Sequence, residues 1–174
     1  MENKMEDRRH PNVVNLREAE ARQYSHGENF ACRTRWLTEA TGATGLGCSW
    51  YEVPPGRSAF PHHFHCANHE SLFVLGGRGT LRIGEEQVQL AAGDYVTLPP
   101  GPECAHQLRN TGDEPLTYLC MSTMVTTDVV GYPDSRKTAA LAFAPGTTGE
   151  TPWVRAMFRN ESVTDYYDRE DAGR

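Results

Sequence analysis

The chain has 174 residues, 17 Lys+Arg against 23 Asp+Glu, a formal net charge of -6 and 38% hydrophobic residues, enough for one domain with its own core and too apolar for wholesale disorder. The acidic balance opposes a nucleic-acid partner, which needs a concentrated basic face, and the longest aliphatic or aromatic run, Leu72 to Leu75, is far short of the roughly 20 residues that span a bilayer. Five cysteines, at 32, 48, 66, 104 and 120, are odd in number, widely spaced and without a Cys-x-x-Cys, so neither a disulfide framework nor a zinc ribbon is indicated.

In chain order, residues 1–28 read as a polar N-terminal extension. Its charged start, Met1 to Arg9, is followed by no apolar stretch, which argues against a secretory signal and makes the cytoplasm the expected location. A helix-compatible run, Leu16 to Gln23, is closed by Ser25-His26-Gly27. Residues 29–127 change texture. Strands are expected at Cys32–Thr38, Leu46–Val53, Ala59–His65, Glu70–Leu75, Gly79–Ile83, Gln87–Ala91, Tyr95–Leu98, Ala105–Asn110 and Leu116–Met124. Pro54-Pro55-Gly56, Gly84-Glu85-Glu86, Ala92-Gly93-Asp94 and Pro99-Pro100-Gly101-Pro102 are among the turns between them. Gly76-Gly77-Arg78-Gly79 reads as a hairpin turn rather than a phosphate loop, since no Lys-Ser/Thr and no helix follow it. Many short strands at near-regular spacing make an all-β sandwich or barrel. Residues 128–174 read as a C-terminal extension, with loops at Gly131–Ser135 and Ala144–Gly149 and a tail whose Trp153, Phe158, Tyr166 and Tyr167 are expected to pack on the barrel.

Four of the seven histidines fall in Pro61-His62-His63-Phe64-His65-Cys66-Ala67-Asn68-His69-Glu70. On a strand, alternate side chains share a face, so His63 and His65 point one way while His62 and Phe64 point the other. A hairpin through the turn-like Cys66-Ala67-Asn68-His69 brings Glu70 beside the pair. His106 opens a later strand. Imidazoles together with a carboxylate suit Fe, Mn, Ni, Co, Cu or Zn rather than Ca or Mg alone. His62 then reads as structural and His69 as a solvent-facing turn residue. Cys104 and Cys66 read as small buried fillers. Tyr51, Arg82 and Gln107 are candidates to line the pocket.

Gly56, His63, His65, Glu70 and Gly76, followed by Gly93, Pro99, Gly101, His106 and Asn110, resemble the two motifs of the cupin superfamily. The chain departs from the pattern in three places. One extra residue separates Gly56 from His63, Gly76 comes one residue early while Gly77 keeps the spacing, and four residues stand between Gly101 and His106. Choosing His62 would restore the first spacing but put His62 and His65 on opposite strand faces. Flanking stretches such as Tyr132-Pro133-Asp134-Ser135 resemble small single-domain bacterial cupins. The resemblance implies a jelly-roll β-barrel whose His63, His65, Glu70 and His106 hold a divalent transition metal, with positions left open; Asn110, four residues after His106 on the same strand face, reads as a structural residue or as a support for the ligands. It implies a metal-dependent enzyme acting on a small oxygen-bearing molecule by dioxygenase, isomerase, decarboxylase or lyase chemistry. The alternative is a non-catalytic small-molecule binding or sensor protein. An open strand edge or the terminal segments would suit a homodimer.

Overall fold

The computed structural model describes residues 9–144, 152–162, 164–168 and 170. Among them the chain runs through β1 (Arg22–His26), β2 (Phe30–Trp36), a one-turn helix α1 (Leu37–Thr41), β3 (Leu46–Val53), β4 (Phe64–His65), β5 (Glu70–Gly76) and β6 (Arg78–Ile83). It continues through β7 (Glu86–Ala91), β8 (Tyr95–Leu98), β9 (His106–Asn110), β10 (Leu116–Thr123), β11 (Thr127–Tyr132), β12 (Lys137–Ala142) and β13 (Val154–Arg159). The result is the expected all-β jelly-roll barrel. No helix among the described residues is long and apolar enough to cross a membrane.

Alternation builds the core. Along β5, Leu72 and Val74 are buried while Phe73 and Leu75 are exposed, and along β10 Leu116 and Tyr118 are buried, the period of two that a half-buried strand requires. Their inward faces meet Val53, Leu81, Leu90, Leu98 and Leu108 in one cluster, each aliphatic side chain contributing about 1.5–3 kcal/mol by leaving water. The strands order as a six-stranded sheet β1-β2-β3-β10-β5-β8, a three-stranded sheet β7-β6-β9 and a four-stranded sheet β13-β12-β11-β4.

Several local expectations are corrected. The Leu16–Gln23 run is not helical: it turns and then enters β1, which pairs antiparallel with β2 from Arg22↔Thr34 to His26↔Phe30. So short a helix is marginal in water, whereas an adjoining strand offers the same backbone groups partners at once. The Ala59–His65 stretch is a strand only at Phe64–His65, joined by an isolated bridge between His63 and His106. Pro61 explains this, because it has no N–H to give to a ladder and restricts the residue before it. No hairpin joins His65 to Glu70: β4 pairs with β11, while β5 pairs with β10 and β8. Nor is Gly76–Gly79 a hairpin turn. It is the corner at which the chain leaves the six-stranded sheet for the three-stranded one.

The C-terminal part holds three strands that the sequence pattern does not announce, β11, β12 and β13. Only the last part of Gly131–Ser135 is turn. The expected loop at Ala144–Gly149 lies outside the described residues beyond Ala144. Trp153 and Tyr166 are 71% and 86% exposed, and Phe158 and Tyr167 are exposed too, so none of these aromatic side chains is buried against the barrel.

Candidate metal centre

Each sheet contributes to one spot. His63 stands in the extended segment before β4 and exchanges two backbone hydrogen bonds with His106, of 3.1 and 2.8 Å. That bridge holds the two imidazoles with ring centroids 4.5 Å apart. His65 ends β4, two residues on, its ring centroid 5.3 Å from that of His63. Glu70 opens β5 and His106 opens β9. His63, Glu70 and His106 each place a ligand atom within 4.8 Å of the others. His65 stands just beside this trio, with Nε2 3.6 Å from Glu70 Oε2, while His106 Nε2 is 3.2 Å from the same oxygen.

The far side of every imidazole is committed to an acceptor. Nδ1 of His63 lies 2.8 Å from the carbonyl oxygen of Pro61, Nδ1 of His106 is 3.0 Å from that of Cys104, and Nδ1 of His65 is 2.6 Å from Asp128 Oδ2. None of these oxygens can donate, so in each neutral ring Nδ1 carries the hydrogen and Nε2 keeps its lone pair. Two such lone pairs then face a carboxylate oxygen at 3.2 and 3.6 Å. With all three rings neutral, acceptors converge on acceptors, an arrangement that is repulsive unless a positive charge, a proton on one ring or a metal ion, stands among them. The residues therefore fit a divalent transition metal, for which nitrogen and oxygen donors of this kind are suited.

Electrostatics agree. Burial, with His106 close by, pushes the His63 imidazole down to about 4, so it is neutral at physiological pH. Burial raises the Glu70 carboxyl, but the contact with His106 and the charges of the surrounding imidazoles bring it below its usual value. Asp128 is likewise raised by burial yet held low overall by hydrogen bonds from His65, Asn68 and the Ala67 backbone.

The four residues lie in a cavity of about 290 Å³ whose other walls include Tyr51, Phe60, Leu72, Gln107, Leu108, Tyr118, Cys120, Val130, Tyr132 and Leu141. Tyr51 and Gln107 thus line it as expected. Arg82 does not; both oxygens of Asp134 hold its guanidinium, at 3.0 and 2.9 Å. His62 turns away from the centre, is buried and lines a separate cavity with Asp134 and Lys137. Exposed His69 uses its backbone N–H to bond Thr123 Oγ1. Of the two roles expected for Asn110 it takes the structural one: its amide donates to the carbonyls of Val53 and Glu114 and accepts from Gly112 N–H, closing a turn. Cys66 is exposed rather than a buried filler, and Cys104 is half-buried. Asp128, Tyr132 and Cys120 were absent from the sequence reading of the site. The one signal for Asp128 was an acid set in a β-branched stretch, Thr127-Asp128-Val129-Val130.

Residues 49–122 match the family model described as Cupin domain. Over 86 residues the chain is 35% identical to 1-methylthio-D-xylulose 5-phosphate methylsulfurylase of Rhodospirillum rubrum, covering 49% of this chain and 51% of that protein. Over 70 residues it is 33% identical to an uncharacterized protein of Methanocaldococcus jannaschii, covering 40% and 54% of the two chains. It therefore spans about half the length of these curated relatives. The solved structure of a putative sugar phosphate isomerase from Acidithiobacillus ferrooxidans superposes with a TM-score of 0.74 at 24% identity, over 89% of this chain and 96% of that one. That likeness concerns the fold alone.

Proposed function

The chain carries a cupin domain, and from that premise we propose that His63, His65, Glu70 and His106 hold a divalent transition metal at which a small oxygen-bearing molecule is bound and converted. The observation that supports this is the set of Nδ1 hydrogen bonds, which in the neutral rings leaves imidazole Nε2 lone pairs and a carboxylate oxygen gathered on one spot. The metal, when bound, supplies Lewis acidity, a template for oxygen donors and, for Fe, Mn or Cu, redox capacity. The chain's own residues orient the ligands through Pro61, Cys104 and Asp128 and exclude water with aromatic and aliphatic walls. Conversion would be of isomerase, decarboxylase, dioxygenase or lyase type.

One observation favours a second reading, binding without turnover. The remaining titratable groups on the cavity wall are Tyr51, Tyr118, Tyr132 and Cys120, and burial pushes all four upward. They therefore stay protonated near neutral pH and offer no general base.

Metal analysis of protein purified without chelator tests the centre. Near-stoichiometric metal is expected in the parent, with loss in His63→Ala and Glu70→Ala; equal metal in parent and variants would refute the assignment. Screening the Fe(II), Mn(II) and Ni(II) forms against hydroxy acids, keto acids and catechols, without and then with oxygen, separates the readings. Turnover supports the enzyme, and tight binding without product supports the sensor.

A further inference from the structure

The walls of the candidate metal cavity are unusual for what they lack. Among the described residues that line it there is no Lys and no Arg. Four aromatic side chains stand there instead. Phe60 meets Tyr51 edge-on at 5.3 Å, Tyr51 stacks on Tyr118 at 5.3 Å, and Tyr132 lies nearly parallel to the His63 ring at 6.1 Å. Val130 and Leu141 add aliphatic surface.

Two cationic side chains outside the cavity are turned to other tasks. Arg82 is held by Asp134. Lys137 lies over the Tyr132 ring and lines the separate cavity that also holds His62. The described walls offer a phosphate dianion none of the charge-assisted donors that phosphate sites supply, namely guanidinium, ammonium or a helix N-terminus, so that a bound metal alone would offset its lost hydration. A flat ring suffers no such cost, because it exchanges water for aromatic and aliphatic contacts. Small size suits it as well, since about 290 Å³ is at the lower end of the range for small-molecule pockets.

We propose that this cavity selects uncharged aromatic molecules bearing an oxygen donor, such as phenols and catechols, and excludes phosphorylated sugars. The oxygen-donor half of the statement rests on the metal reading above; the aromatic half rests on the walls alone.

Calorimetric titration of the Mn(II)-loaded protein with catechol and with ribose 5-phosphate tests the whole statement. Catechol should bind more than about tenfold more tightly. Phe60→Ala, at the half-exposed rim, should weaken catechol about two- to tenfold while leaving metal content unchanged. A second titration of chelator-treated protein with 2-naphthol and ribose 5-phosphate tests the walls without metal, and 2-naphthol should again be preferred. Ribose 5-phosphate binding as tightly as the aromatic probe in either titration overturns the proposal, as does an unchanged affinity of Phe60→Ala for both aromatics. A protein that takes up none of Mn(II), Fe(II), Ni(II), Co(II), Cu(II) and Zn(II) refutes the metal reading, and the 2-naphthol titration still decides the aromatic preference.

Discussion

Asp128 accepts four hydrogen bonds, and the way it divides them sets its role. Oδ2 takes His65 Nδ1 at 2.6 Å and Asn68 Nδ2 at 2.7 Å, while Oδ1 takes the backbone N–H groups of Ala67 at 2.9 Å and Cys66 at 3.2 Å. One carboxylate therefore fixes the tautomer of an imidazole and closes the turn that leads on to Glu70. Asp128→Asn keeps the shape but has one acceptor oxygen for donors on both sides. It should weaken metal affinity about 10- to 100-fold, read by competition with a chromophoric chelator. Asp128→Ala should in addition cost about 1–3 kcal/mol of stability by stranding the turn N–H groups, read by urea denaturation. Unchanged metal affinity in Asp128→Asn would remove the orienting role. At this scale the sequence is half legible. The face shared by His63 and His65 follows from a two-residue period, and their nearness to Glu70 from a short connection. Asp128 comes 63 residues after His65, and no spacing rule links them.

Strands and corners obey the same division. The inward alternation of β5 and β10 is written in their residues, and those elements stand where the pattern puts them. β11 is hidden from it because one of its buried inward positions is the polar Asp128, and β13 because all six of its residues are exposed. An edge strand without a buried face has no alternation to read. Gly77 shows how a corner depends on packing. Its φ is +80°, and a Cβ there would lie 2.5 Å from the Pro115 carbonyl oxygen and 2.9 Å from Leu116 Cα. Gly77→Ala should therefore destabilise the protein by about 1–3 kcal/mol, measured from the denaturation midpoint, with binding weakened because this corner continues the strand that begins at Glu70. An unchanged midpoint would mean that the corner relaxes at little cost.

For the molecule as a whole, the candidate centre is a cross-link. His65 belongs to the four-stranded sheet, Glu70 to the six-stranded and His106 to the three-stranded, so a metal bound there would tie the three sheets together. An ion that binds the folded state alone adds about 2.7 kcal/mol when present at 100 times its dissociation constant. A chain of this size should then melt about 5–11 °C higher with metal than with chelator, followed by circular dichroism. The increment should vanish in Glu70→Ala. Identical melting curves with metal and chelator would contradict a structural contribution from the centre.

Composition, strand period and residue spacing by themselves determined an all-β chain with a histidine pair on one strand face, a carboxylate near it in sequence and a third histidine far along. These are local properties, carried by covalent neighbours and by the alternation of side chains on an extended backbone. Only the tertiary structure decided that His106 pairs with His63 across an isolated bridge, that Asp128 and two backbone carbonyls turn the imidazole lone pairs inward, and that the described residues of the cavity wall include four aromatic side chains and no cationic one. Those facts depend on which strands pair and in what register, and pairing is settled by the burial of whole faces rather than by any short stretch of residues.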